Sequence, residues 1–246
     1  MSAQSSFAMR RARLRQLVAS GATTVAPGAT DALSARLIEA HGFECVYIGS
    51  YATAASRFGL PDTGLLSLSD MVEQVRTIAN AVRAPVIADA EGGLNDAPNI
   101  WRTVQAFEQA GASAIHIEDH AFGKHADVPQ RLRPLEEAVA RIHAAVEARE
   151  DPDFMVVARS DAVWVSGDFE DAVRRLAGYA EAGGHGVPHV GNTRAADRDP
   201  SQGTEACNDC GHARPNACRR DARRCFHRAL LRPFSARAVR RARSRA

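Results

Sequence analysis

Pro85-Val86-Ile87-Ala88-Asp89-Ala90-Glu91-Gly92-Gly93 and Ala114-Ile115-His116-Ile117-Glu118-Asp119-His120 decide how this chain folds. Each is a short apolar run, partly β-branched, that stops on acids. Between them Ile100, Val104 and Phe107 recur at helical spacing, and Gly111 closes the helix. The stretch reads as a β-α-β unit whose parallel strands both deliver carboxylates from their C-terminal ends. In parallel α/β proteins ligands bind at that edge of the sheet. Hard oxygen donors converging there suit Mg²⁺, which takes few carboxylates and keeps several waters. One acid after a strand is commonly an ordinary loop residue; acids on both strand ends favour a metal.

Upstream, an amphipathic helix over 11–19 carries Leu14, Leu17 and Val18 on one side. A short strand and turn over 23–28 follows, and Asp31 caps a helix to about Ala40. The strand Cys45-Val46-Tyr47-Ile48 delivers Gly49-Ser50-Tyr51 to the same edge. A polar loop over 57–64 holds Leu60-Pro61-Asp62, and a helix runs from Ser69 or Asp70 to about Ala81. Downstream come a loop over 119–133, a helix over 135–149, a strand over 154–158 ending at Arg159-Ser160-Asp161, and a helix over 168–182. Five strands thus alternate with helices at spacings of about 20 to 40 residues, which is half or more of a (β/α)8 TIM-type barrel. A doubly wound sheet is the alternative.

At 246 residues and 45% hydrophobic the chain can bury one large core. No apolar run approaches membrane-spanning length, and Phe7-Ala8-Met9 runs into Arg10, Arg11, Arg13 and Arg15 without a signal-like apolar region. The reading is a soluble, cytoplasmic protein with no membrane partner. The net charge of +2 hides an asymmetry. Residues 1–184 hold 17 basic and 24 acidic side chains, whereas residues 185–246 hold 14 and 5. Cys207, Cys210, Cys218 and Cys225, four of the five cysteines, also lie in that last quarter.

The strand ends and their loops collect Tyr47, Gly49, Ser50, Asp62, Asp89, Glu91, Glu118, Lys124, Arg159 and Asp161. Carboxylates for a cation, an arginine fork for a substrate carboxylate, and a serine hydroxyl near backbone N–H groups suit a small 2-oxo acid. A cation chelated by such a substrate stabilises the enolate formed when a bond beside the carbonyl breaks. His116 sits within a strand and reads as a core histidine; His120 and His125 lie in a loop and are not taken as ligands.

At these residues the chain resembles the isocitrate lyase / phosphoenolpyruvate mutase superfamily. The matching pieces are Tyr47-Ile48-Gly49-Ser50, Gly59-Leu60-Pro61-Asp62, Asp89-Ala90-Glu91-Gly92-Gly93, His116-Ile117-Glu118-Asp119, Pro134-Leu135-Glu136-Glu137 and Ala158-Arg159-Ser160-Asp161-Ala162, in family order over residues 10–183. The resemblance implies a (β/α)8 barrel, Mg²⁺, and cleavage or rearrangement through an enolpyruvate-like intermediate. It also implies that Asp89 binds the metal directly, with Glu91 and Glu118 holding it through water. Asp62 and Lys124 would serve the reaction centre, Arg159 would bind substrate, and Tyr47, Gly49 and Ser50 would line the carboxylate pocket. The partner implied is a small carboxylate substrate, and the family assembles as homotetramers through C-terminal helices.

Three departures matter. Gly49-Ser50 stands where the family usually has Ser-Gly, and Glu91 where the second metal-motif acid is usually Asp. The loop after Glu118 reads Gly123-Lys124-His125-Ala126-Asp127, without the Lys-x-Cys-Gly-His motif of isocitrate and methylisocitrate lyases. No cysteine lies between Cys45 and Cys207, so isocitrate lyase activity itself is not expected. A lyase or decarboxylase of another 2-oxo or 2-hydroxy acid is expected, with a phosphonomutase of carboxyvinyl-carboxyphosphonate or phosphoenolpyruvate type as the rival.

The family pattern breaks at Gly183-Gly184. The last quarter admits a zinc module built on the clustered cysteines with His212 and His227, or a basic nucleic-acid-binding arm from Arg214 to Arg245. Neither has a second familiar ligand pair or interleaved apolar residues, so no nucleic-acid partner is expected. A shifted reading frame accounts for more. Residues 183–190 can be encoded as GGC GGA CAT GGT GTT CCC CAC GTT; read one base later, this gives Ala-Asp-Met-Val-Phe-Pro-Thr, the expected sixth strand. Over 203–209 allowed codons give Val-Pro-Lys-Pro-Val-Met-Ile, the form of the seventh. Lys124 is the only lysine, and the arginine-rich tail fits GC-rich DNA read out of frame. The expectation is a barrel domain over 1–184, incomplete after the fifth or sixth strand, with a largely disordered tail over 185–246. Such a product risks being inactive.

Overall fold

The computed structural model describes residues 3–94, 99–121, 125 and 128–188. Five parallel strands lie side by side in chain order: β1 (Val46–Ile48), β2 (Val86–Asp89), β3 (Ala114–Glu118), β4 (Met155–Ser160) and β5 (His185–Pro188). A doubly wound sheet reverses its strand order at a switch point. Here every strand pairs with its successor, which is the order of a TIM-type barrel wall.

Register explains both faces. Tyr47 pairs with Ile87, Ile87 with Ala114, and Ala114 with Met155; one step up, Asp89 pairs with His116, and Glu118 with Arg159. Because side chains alternate along a strand, these share the inward face. Below them Ile87, Ala114, Met155 and Val157 pack with Leu14 and Val18 of α1 (Ala3–Ala19), which plugs the base of the wall. The alternate residues, among them Val46, Ile48, Val86, Ile115, Ile117 and Val156, meet the helices outside.

Those helices follow local signals. α2 (Ala32–Ala40) starts on the predicted Asp31, whose carboxylate accepts Ser34 N–H at 2.7 Å in a reciprocal capping box. α4 (Leu68–Ala81) starts on Ser67, boxed with Asp70, two residues before the predicted start. α5 (Ile100–Ala110) ends at Gly111, as predicted. Gly111 has φ +102°, and a Cβ there would come within 2.7 Å of the Phe7 ring, so both conformation and space demand glycine. α6 (Leu135–Glu147) and α8 (Phe169–Glu181) match their predicted positions within two residues.

Five features differ from the sequence reading. The first helix begins at Ala3, eight residues before its expected start. The strand expected over 23–28 is reduced to one bridge between Gly28 and Tyr47, because Pro27 has no N–H for a ladder. The loop expected from 57 is partly helical: α3 (Ser50–Thr53) continues into a π-helical turn over Ala54–Phe58 that ends at Gly59 in the left-handed region. A short helix, α7 (Ala162–Ser166), follows β4. And residues 185–188, which carry no strand pattern, form β5. Parallel pairing from Val157–His185 to Ser160–Pro188 satisfies backbone groups whatever the side chains. Gly184 admits the approach, since a Cβ would lie 2.7 Å from Ile142 Cγ2. The tail beyond 188, with its zinc, nucleic-acid and frame-shift readings, lies outside the described residues, as does Lys124. Among the described residues no helix is long and apolar enough to cross a membrane.

Candidate active site

Asp89 ends β2 on the inward face and is buried. Its Oδ2 accepts the Ser50 hydroxyl at 3.0 Å, and its Oδ1 accepts the Glu91 N–H at 2.8 Å. The exchanged Gly49-Ser50 pair thus has a definite consequence: the hydroxyl sits at the first residue of α3 and donates to the carboxylate. A Cβ at Gly49 would instead stand 3.4 Å from the Tyr47 ring.

Glu91 occupies the left-handed region at φ +49°, unusual for a side-chain-bearing residue and a local cost of about 1 kcal/mol or more. Its carbonyl accepts Glu118 N–H at 2.9 Å, so the ends of β2 and β3 are laced together. Glu118 is buried and meets Arg159 Nη2 at 2.7 Å. Asp161 accepts from the Nε–Nη2 edge of the same guanidinium, at 2.7 Å from Nε and 3.0 Å from Nη2. Burial works against the charge of Arg159, but Glu118 and Asp161 outweigh it and push its pKa above the ordinary arginine value. The guanidinium is a permanent cation.

Tyr47 stands across this face, its hydroxyl 3.3 Å from His116 Nδ1 and the two rings edge to face. Burial, then the charge of Asp89, pushes the phenol pKa well above its usual value, so it remains a neutral hydrogen-bonding group. His116, expected in the core, is half-buried on the site's wall. Asp62 comes from the loop after the π-helical turn, with its carboxylate 3.5 Å from His125 Nε2. His125 and buried His120 flank Trp164 of α7, with ring centroids 4.9 and 5.1 Å away.

Tyr47, Asp89, Glu118 and Arg159 are therefore brought to one face, with Gly49, Ser50, Glu91 and Asp161 bonded or adjacent to them. Among the described residues no three His, Cys, Asp or Glu side chains gather closely enough to ligate one ion directly. The donor set still fits a hard cation held by one carboxylate and reached by others through water. Sequence reasoning missed Asp119, Arg175 and Tyr179, which form a buried polar cluster behind the site. Their one signal was Arg175 and Tyr179 at i, i+4 on a helix whose buried stripe should be apolar.

Residues 14–199 match the model of the phosphoenolpyruvate phosphomutase family. The chain belongs to that family, within the isocitrate lyase / phosphoenolpyruvate mutase superfamily. Among similar proteins, 2,3-dimethylmalate lyase of Eubacterium barkeri is 41% identical over 174 residues, covering 70% of this chain and 60% of that one. 2-Methylisocitrate lyase of Shewanella oneidensis is 36% identical, covering 70% of this chain and 59% of that one. A crystal structure of phosphonopyruvate hydrolase in complex with oxalate and Mg²⁺ superposes with a TM-score of 0.70 at 36% identity, covering 76% of this chain and 65% of that one. The chain thus spans about 60% of the length of the curated relatives named. The TIM-type barrel of these neighbours agrees with the sequential strand order.

Proposed function

We propose that the chain carries the site of a Mg²⁺-dependent lyase that cleaves a C–C bond of a small 2-oxo or 2-hydroxy acid through an enolpyruvate-like intermediate. The observation that carries this is the Arg159 guanidinium, fixed by Glu118 and Asp161 on the same inward face as Asp89, two strands away. Asp161 and Glu118 take Nε and Nη2 of Arg159, which leaves Nη1 to donate to a substrate carboxylate. Tyr47, Gly49 and Ser50 close the pocket around that carboxylate, and Ser50 also orients Asp89. Asp89 would hold the cation directly, with Glu91 and Glu118 reaching it through water. When bound, Mg²⁺ stabilises negative charge developing on the substrate oxygens. Asp62, whose carboxylate lies 3.5 Å from His125 Nε2, and Lys124 serve proton movement. Relatives that act on dimethylmalate, methylisocitrate and oxaloacetate support the substrate class.

A phosphonomutase or phosphonopyruvate-cleaving activity is the second reading, favoured by the family match and by the loop's lack of cysteine. The tail from about residue 185 is read as translated from a shifted frame; the intact protein would continue the barrel, assemble as a homotetramer and work in the cytoplasm.

The test is to resequence the gene across the codons for Gly183 and Gly184, then assay the chain as it stands and any corrected version. Mg²⁺-dependent release of a pyruvate- or glyoxylate-like product from a small dicarboxylate, lost in Asp89→Ala, is the expected result. Turnover of phosphonopyruvate alone would favour the second reading. Activity unchanged by Asp89→Ala or by chelation would sink the metal assignment. A clean read through those codons would make the tail genuine.

A further inference from the structure

Asp119 follows Glu118 in the chain but turns the other way, out of the wall and toward α8. It is 3% exposed, and both carboxylate oxygens are occupied. Oδ1 accepts the Asp161 backbone N–H at 2.8 Å. Oδ2 accepts the Tyr179 hydroxyl at 2.7 Å and an Arg175 N–H at 3.4 Å. Its main chain is equally engaged: Asp119 N–H donates to the Arg159 carbonyl at 3.2 Å, and its carbonyl accepts Arg133 N–H at 2.8 Å. Arg175 is steadied in turn, donating to Asp171 at 2.7 Å and to the Arg133 carbonyl at 2.9 Å.

A buried carboxylate is costly unless every lone pair finds a donor, and an apolar residue would pack this position at lower cost. What an apolar residue would not supply is a hold on the end of β4. Asp119 grips the chain on both sides of Ser160, through the Arg159 carbonyl and the Asp161 N–H. The two residues it grips are the arginine that faces the site and the aspartate that takes that arginine in two hydrogen bonds. The residue before it, Glu118, meets Nη2 of the same guanidinium.

We propose that Asp119, clamped by Tyr179 and Arg175, is a positioning residue that sets the aim of the Arg159 guanidinium, so that α8 in the outer layer governs how tightly the site holds a small dicarboxylate. The binding half of this rests on the reading of Arg159 as the substrate-carboxylate group; the aiming half does not. The clamp is built from groups that never touch the ligand, and its removal alters the orientation of Arg159 rather than its charge.

Two readouts on the full chain test it. One follows the Nε–H signals of ¹⁵N-labelled arginine, with Arg159 assigned by its disappearance in Arg159→Lys. The other measures oxalate affinity by calorimetry in the presence of Mg²⁺. In Asp119→Asn and Tyr179→Phe, each with wild-type circular dichroism, the Arg159 signal should move toward that of exposed arginines and exchange about tenfold faster, with the oxalate Kd about tenfold higher, the scale of one lost buried hydrogen bond. Glu170→Gln, at an exposed position on the same helix, should leave both unchanged. Should Asp119→Asn fail to fold, Tyr179→Phe decides, since it removes one oxygen and keeps the ring. A folded Tyr179→Phe with the Arg159 signal unmoved would overturn the proposal. If Arg159→Lys binds oxalate as wild type does, the substrate reading of Arg159 fails, and the arginine signal still decides the aiming.

Discussion

Glu118 and Arg159 stand opposite one another in the β3–β4 ladder, and their side chains meet at 2.7 Å on the inward face. The pair spans forty-one positions of sequence, yet backbone register alone puts the two Cα atoms side by side. One carboxylate cannot meet all five N–H donors of a buried guanidinium, and Asp161 accepts from Nε and Nη2. Breaking a buried ion pair by removing one partner leaves the other charge uncompensated, which costs about 3–5 kcal/mol. Arg159→Ala should therefore lower the urea midpoint as well as abolish turnover. Arg159→Lys keeps the charge but loses the fork, so it should recover part of the stability and little activity. Equal unfolding midpoints for wild type and Arg159→Ala would show that the network does not stabilise the fold.

Ser50→Ala removes the hydroxyl donor to Asp89. A buried hydrogen bond to a charged group is worth about 1.5–3 kcal/mol, so chemical denaturation should report a loss of that order. Because Asp89 would then be oriented by fewer donors, the Mg²⁺ concentration needed for half-maximal activity should rise. Adding Gly49→Ser to the same chain, which moves the hydroxyl to the first of the two positions, should not repair the stability, since the new hydroxyl grows from the Tyr47 side.

Gly111→Ala combines a left-handed backbone with a Cβ 2.7 Å from Phe7. The expected loss exceeds the ~1 kcal/mol of an ordinary positive-φ glycine replacement. Adding Phe7→Ala should relieve the contact and leave the backbone cost. A double-mutant cycle showing no coupling between the two positions would contradict the close approach.

His185 gives a pH-dependent prediction. Burial, and then the positive charge of Arg15, lowers its pKa below the ordinary value of 6.5. The unfolded imidazole therefore takes up a proton at a pH where the folded one does not. Its contribution to stability is complete above about pH 6.5 and is lost as pH falls through the lower folded value. Thermal melts between pH 8 and 5 should show Tm falling over that window, and His185→Gln should flatten the fall. An unaltered slope in that variant would assign the dependence to other groups.

Much of this protein was legible in its sequence because the informative signals are local. Apolar runs ending on acids at Asp89 and Glu118, the α5 period closed at Gly111, and the Asp31 cap each involve neighbours within a few residues, and the structure places them as read. The barrel wall, the face carrying Tyr47, Asp89, Glu118 and Arg159, and the family membership follow from such signals in order. Tertiary structure alone decided the rest. Whether residues 185–188 become a strand depends on the free backbone groups of β4. The π-helical turn before Gly59 leaves no periodic mark in five residues. Asp119 reads in the chain as one more loop acid; its meaning comes from Arg175 and Tyr179, more than fifty residues away, and a contact of that kind is set by packing rather than by spacing.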